Sequence, residues 1–306
     1  MAAMPAGAAV FKAGRFQVEV RHVKQRRDHE LPKPVMVLAP SEAGSYPVLL
    51  FLHGFLVLGG CYQKLLTHVA SHGFIAVAPQ LYGIMFDVND MKDIESTSQI
   101  INWIAGGGLA HVLKDIFRLK DVKPDLSKVA LAGHSRGGDT AFSVALGLGD
   151  AKTKLALKLS ALIGIEPVAG ASKDHQMEPK VLTFKPQSLD VGMPVMVLGT
   201  GKTCPCAPDH VNHAEFYDEC KPPRYHLVVK DYGHLDMVDD HVLMFFHNLA
   251  CQANSDDTNG LVRRTMGGAM VAFMRATMDH KDEDLNAILA DKQLAPATLE
   301  PVEHNP

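Results

Sequence analysis

The stretch Lys128-Val129-Ala130-Leu131-Ala132-Gly133-His134-Ser135-Arg136-Gly137-Gly138 changes character half-way along. Its first half is an apolar run that reads as a short buried strand. Small residues around one serine end the run, and Ala141, Val144, Ala145 and Leu148 then recur at helical spacing. Gly133-x-Ser135-x-Gly137 therefore lies where a strand turns sharply into a helix, the geometry of a nucleophile elbow. Glycines suit it because the turn is tight and its neighbours pass close by. Chance alone would place such a pentapeptide in about one chain in ten of this size. The flanking strand and helix make the motif specific.

Working outward, the same alternation recurs. Arg15 to His22 alternates polar with apolar side chains, as a half-buried edge strand does. Pro34 to Ala39 is a second strand, and Val48 to Leu52 a continuous apolar run suited to a central parallel strand covered on both faces. A helix over Tyr62 to Ser71, closed by Gly73, leads to a strand over Phe74 to Ala78. Leu81 to Asn89 is an apolar loop, and Asp93 to Phe117 is helical but split by Gly106-Gly107-Gly108. Beyond the elbow, strands are expected at Ser160 to Val168, Pro194 to Gly199 and Tyr225 to Lys230. The excursion at Ala169 to Gly192 has no helical period and suits a functional surface segment. Helices are expected about Asp239 to Cys251 and Gly260 to Met278. The pattern predicts an α/β fold, a mostly parallel sheet of about eight strands with helices on both faces. The expected organisation is one domain over 1–306, with loose ends at about 1–10 and 290–306.

Composition narrows the function. With 47% hydrophobic and 21% charged residues, the chain of 306 has material for a large core. A net charge of -4 and the lack of any Lys/Arg-rich run argue against a nucleic-acid partner. No apolar stretch approaches the ~20 residues of a membrane span. Met1 to Gly14 is too weakly apolar for a secretory signal and too poor in Ser and Arg for a clear transit peptide. Five cysteines are few and odd in number, which fits a reduced compartment better than a disulfide framework. The spacing of Cys204, Cys206, His210, His213 and Cys220 matches no common zinc site. A disulfide between two of these cysteines, or free thiols, is expected instead. No metal and no cofactor are expected.

Ser135 needs a base to take its proton. In the strand-turn-helix architecture the base comes last in chain order, on the loop after the final parallel strand. His234 is placed that way, behind Val228-Val229-Lys230 and the turn Asp231-Tyr232-Gly233. The third member should be a carboxylate after an intervening strand, where it orients the imidazole. Glu166 has that position, and Asp209, Glu215 and Asp218 compete from the loop after the next strand. An oxyanion hole needs two backbone N–H groups aimed at one point. Arg136 supplies one and Phe55, on the His53-Gly54-Phe55 loop, the other, with Leu56 as fallback.

Four segments carry a family resemblance: Leu52-His53-Gly54-Phe55, Ser71 to Gln80, Gly133-His134-Ser135-Arg136-Gly137-Gly138, and Ile163-Gly164-Ile165-Glu166-Pro167-Val168-Ala169-Gly170. Together they resemble plant chlorophyllase from about Phe11 through the last helices. The resemblance implies an α/β-hydrolase that cuts the phytyl ester of chlorophyll, releasing chlorophyllide and phytol. It implies Ser135 as nucleophile and His234 as base. The family's acid is an aspartate where this chain has Glu166, a difference of one methylene; glutamate serves in other triads of this fold. It also implies a chloroplast location and peripheral association with a membrane to reach the substrate, with cytosol and endomembrane still open.

A phytyl ester presents a long apolar chain and a large flat ring. Tyr82, Ile84, Met85 and Phe86 and the excursion at Ala169 to Gly192 could line an apolar cleft for them, or simply pack under the loops. A broad lipase or cutinase-like carboxylesterase is the rival enzyme. A non-catalytic member of the fold that binds an apolar ligand is the rival of another class. Retention of a serine, a histidine and an acid favours an enzyme.

Overall fold

Parallel strands covered on both faces must be apolar on both, and the central segments of this chain meet that condition. The computed structural model describes residues 7–25, 30–83, 88–150, 153–239 and 260–306. The chain runs through β1 (Val18–Val23), β2 (Val35–Pro40), β3 (Gly44–Leu52), α1 (Gln63–Ser71) and β4 (Ile75–Pro79). Then come α2 (Asp90–Ala105), α3 (Gly108–Asp115), β5 (Val122–His134), α4 (Arg136–Ala145) and β6 (Ala161–Ile165). A hairpin of β7 (Gly170–Ser172) and β8 (His175–Gln176) precedes β9 (Val195–Lys202), α5 (His213–Glu219) and β10 (Arg224–Gly233). The described chain closes with α6 (Leu261–Asp279), α7 (Glu283–Ala290) and β11 (Leu299–Asn305).

Nine strands make one sheet in the order β1-β2-β4-β3-β5-β6-β9-β10-β11. The six from β4 to β10 in that order run parallel, whereas β1, β2 and β11 pair antiparallel at the two edges. Side chains alternate across the sheet with a period of two. Along β3, Leu49 and Phe51 join the core beneath α1 and α6, with Leu65, Val69, Met270 and Phe273. Val48, Leu50 and Leu52 join the opposite core beneath α2, α3 and α4, with Ile101, Ile104, Val112 and Phe142. Each buried large aliphatic side chain here contributes roughly 1.5–3 kcal/mol through area removed from water.

Local signals explain the element bounds. Asn89 caps α2 by accepting the Lys92 N–H at 3.0 Å. Gly107, at φ 92°, breaks α2 from α3 where the three glycines predicted a break.

Two expectations are corrected. The segment beyond 290, expected to be loose, includes β11, which raises the sheet from about eight strands to nine. Its prolines suggested a breaker, but an edge strand tolerates Pro301 because one side of its backbone needs no partner. Tyr225 stacks on His304 with ring centroids 6.2 Å apart, and Lys230 meets Glu300 at 2.5 Å, so side chains help to hold the edge. The first end, expected to be loose to about residue 10, is fixed in its described part: Val10 is buried, and Gly7 N–H donates to Asp284 Oδ1 at 2.9 Å. The excursion at Ala169 to Gly192, read as lacking a helical period, opens with the β7–β8 hairpin. The helix expected about Asp239 to Cys251 falls, apart from Asp239, outside the described residues. Among the described residues no helix is long and apolar enough to cross a membrane.

Candidate active site

β5 ends at His134 and α4 begins at Arg136, so Ser135 alone makes the turn. Its backbone sits at φ 55°, ψ -124°, a conformation that L-residues rarely adopt and that costs of order 1–3 kcal/mol. The turn admits no extra atom: a Cβ on Gly133 would lie 2.0 Å from the Gly137 carbonyl oxygen. Hydrogen bonds lock the strain in place. Ser135 N–H donates to the Ile165 carbonyl at 3.0 Å, and the Ser135 carbonyl accepts from Gly138 N–H at 2.9 Å.

Glu166 follows directly on Ile165 at the C-terminal end of β6, also at positive φ (46°). Its Oε2 lies 3.1 Å from His234 Nδ1, at the turn leaving β10. Its Oε1 accepts the Thr200 N–H at 2.5 Å. Both Glu166 and His234 are 2% exposed. Burial pushes the Glu166 carboxyl up. The hydrogen bond from His234, the charges of His213 and His234 and the Thr200 N–H outweigh it and hold Glu166 below its ordinary value. Of the carboxylates considered from sequence, Glu166 is the one bonded to His234. Glu215 turns instead to His210, 3.5 Å away.

The loop after β3 lies against the elbow, for a Cβ on Gly54 would come within 3.2 Å of the Ser135 Cβ. Gly54 N–H is consumed by the Tyr62 hydroxyl at 3.0 Å, so it cannot face a substrate. Phe55 N–H is the next amide along. Arg136 N–H, in the first turn of α4, has no carbonyl one turn back to bond. Tyr62 in turn donates to His134 Nδ1 at 2.7 Å, which leaves His134 Nε2–H to bond the His234 carbonyl at 3.0 Å. Burial, then the charge of His234, hold the His134 ring well below the usual histidine value, so it stays neutral as this pattern requires. His53 is fixed likewise: its Nε2 accepts Leu81 N–H at 3.0 Å, its Nδ1 lies 3.0 Å from the Gly54 carbonyl, and burial pushes it down to about 4.

Arg136 contributes more than its amide. Its guanidinium pairs with Asp90 at 2.5 Å and Asp93 at 2.7 Å, meets Met177 Sδ at 3.1 Å, and lies 5.4 Å from the Tyr82 ring centroid. One side chain thus ties the elbow to α2 and to the segment after β8. Tyr82 is buried, and its hydroxyl donates to the His53 carbonyl at 3.2 Å. It packs beneath the loops, the plainer of the two roles expected for it. Ile84, Met85 and Phe86 lie outside the described residues. Large apolar side chains exposed in this region are Phe55, Leu58 and Met91.

Of the two alternatives expected for the cysteines, the thiol holds for Cys206 and Cys220, while Cys204 is disulfide-bonded to neither of them. Sequence reading gave no role at this site to Tyr62, His134, Asp93 or Thr200, and weighed His213 only for zinc. Only the adjacency of His134 to Ser135 could have drawn attention to one of the first four.

The site offers a strained serine, a buried imidazole held by a buried carboxylate, and two amides that could meet a developing negative charge. That set suits acyl transfer. The chlorophyllase family model matches residues 6–306. The chain belongs to the chlorophyllase family. It is 40% identical over 299 residues to chlorophyllase type 0 of Chenopodium album, covering 95% of this chain and 84% of the relative. Against chlorophyllase-2 of Arabidopsis thaliana it is 43% identical over 264 residues, covering 83% and 80%. A relative from Citrus unshiu, named chlorophyllase-1, chloroplastic, is 37% identical over 283 residues, covering 89% and 81%. Membership of the chlorophyllase family makes the chain a carboxylic ester hydrolase.

Proposed function

We propose that the chain hydrolyses the phytyl ester of chlorophyll through an acyl-enzyme on Ser135. The observation that carries this reading is the 3.1 Å contact of Glu166 with His234, set at the same sheet edge as the strained serine. His234 Nε2 takes the Ser135 proton as Oγ attacks the ester carbonyl carbon. Phe55 and Arg136 N–H groups receive the oxyanion. Collapse of the tetrahedral intermediate breaks the bond to phytol, whose oxygen takes the proton from His234. Water, deprotonated by His234, then attacks the acyl-enzyme and releases the chlorophyllide carboxylate. Glu166 holds the imidazole in the required tautomer and supports its charged form throughout.

Phe55, Leu58 and Met91, between 37% and 41% exposed, give an apolar surface on segments that adjoin the elbow. Such a surface suits a phytyl chain and a tetrapyrrole face, and a bilayer that presents them. The chloroplastic relatives support the same compartment for this chain, taken here as one catalytic domain. The test is turnover of chlorophyll by the purified protein beside a short p-nitrophenyl ester and a triglyceride, with Ser135→Ala as control. Preference for chlorophyll supports the reading. Equal or better cleavage of the simple esters points to a broad carboxylesterase, and no cleavage to a binding protein.

A further inference from the structure

A line of side chains leads from the surface strand β11 to the buried carboxylate of Glu166. Glu303 Oε2 lies 2.9 Å from His226 Nδ1, and His226 Nε2 lies 2.9 Å from His213 Nδ1. His213 Nε2 faces Glu166 Oε1 at 3.6 Å, while the other oxygen of Glu166 holds His234. Room for the His213 ring exists because β9 has glycine beside it: a Cβ on Gly199 would sit 2.5 Å from His213 Nδ1. Asp218 and Tyr217 on α5 and Arg224 on β10 are the other charged or titratable groups around the pair. Tyr217 stacks on His226 at 4.8 Å with Arg224 over its ring at 4.6 Å.

Counting protons fixes the charge. The Glu303 end needs an N–H on His226 for its hydrogen bond. The Glu166 end, at ion-pair rather than hydrogen-bond distance, is attractive only if His213 Nε2 carries a proton. The contact between the rings needs a third. Two neutral imidazoles carry only two ring protons, so meeting all three contacts demands one more, and the pair carries one positive charge. We infer that His213, as a cation supported by His226 and Glu303, is a positioning residue that holds the Glu166 carboxylate and shares its charge with His234. This rests on the esterase reading above. Burial, with His213 alongside, pushes His226 down. A neutral His213 would turn a bare nitrogen lone pair toward Glu166.

The sign of the effect follows. A cation beside Glu166 weakens the support that the carboxylate gives to protonated His234. Removing that cation lets His234 keep its proton to higher pH, so the acid limb of activity moves up.

The experiment measures the second-order rate of organophosphate labelling at Ser135 against pH for wild type, His213→Gln and Glu303→Gln. Glutamine at 213 keeps a hydrogen-bond donor but no charge. Its acid limb is expected to move up by about 0.5–1 pH unit. Glu303 is half-exposed, so its variant keeps the fold, and its limb is expected to move the same way by less. Should His213→Gln fail to fold, Glu303→Gln decides. A labelled wild type whose variants show an unmoved limb, or one moved to lower pH, overturns the relay alone. A wild type that is not labelled at Ser135 overturns the esterase reading and the relay with it.

Discussion

The Tyr62 hydroxyl lies 2.7 Å from His134 Nδ1 and receives the Gly54 N–H at 3.0 Å. Because His134 also bonds the His234 carbonyl at 3.0 Å, one phenol couples the loop that carries Phe55 to the loop that carries His234. Tyr62→Phe would strand a buried N–H and a buried ring nitrogen. Loss of about 1–3 kcal/mol of stability is expected in a urea titration. A fall in kcat/KM should accompany it, since both loops lose a fixed neighbour. Unchanged stability and rate would deny the coupling.

Ser135→Ala should reduce turnover by several orders of magnitude and abolish labelling by a serine-reactive organophosphate. Circular dichroism should show an unaltered fold. Labelling at full stoichiometry in the variant would place the nucleophile elsewhere.

Glu166→Gln should cut turnover by about two to four orders of magnitude, because the imidazole loses both its orientation and its counter-charge. Glu166→Asp retains the charge but draws the carboxylate back toward β6, away from the Thr200 N–H that now holds it. A smaller loss is expected there. Near-full rate in Glu166→Gln, with Asp209→Asn dead, would move the acid to the loop after β9.

Activity should fall on the acid side, because the imidazole must be neutral to take the serine proton. Glu166 is held below the ordinary carboxylate range, so it stays ionised across that limb and does not set it. A rate flat between about pH 5 and 8 would exclude a histidine base.

Stability should follow His53. Its folded value of about 4 lies below the ordinary 6.5, a depressed group. Such a group's contribution is present in full above the unfolded value and is lost as pH falls from 6.5 toward 4. About 3 kcal/mol is at stake. Denaturant titrations of His53→Gln should show a weaker dependence on pH across this interval than the wild type.

The alternation of apolar runs with helical periods made the parallel core legible, because a strand buried on both faces leaves no polar alternation to confuse it. Ser135 and His234 were legible because chain order and glycine spacing are local or topological signals. Glu166 was legible as a strand-end carboxylate favoured by the family resemblance, but its 3.1 Å contact with His234 was not. His213 and Tyr62 were not legible: their partners lie 13 and 72 residues away, and nothing local marks a buried hydrogen bond. β11 was hidden by its prolines, since the exemption enjoyed by an edge strand depends on where the strand sits in the sheet.

Ser135 and Glu166 both hold positive φ, at 55° and 46°, where any side chain is a burden on the backbone and glycine is not. Glycine at Ser135 should therefore relieve strain while removing the proposed nucleophile, whereas glycine at Glu166 would also strand the buried Thr200 N–H and His234 Nδ1. A selection for heat resistance alone would drift toward Ser135→Gly and return a sturdier, inert protein. Keeping a side chain at Ser135, where the backbone would rather have none, costs this enzyme stability that selection for heat resistance alone would reclaim.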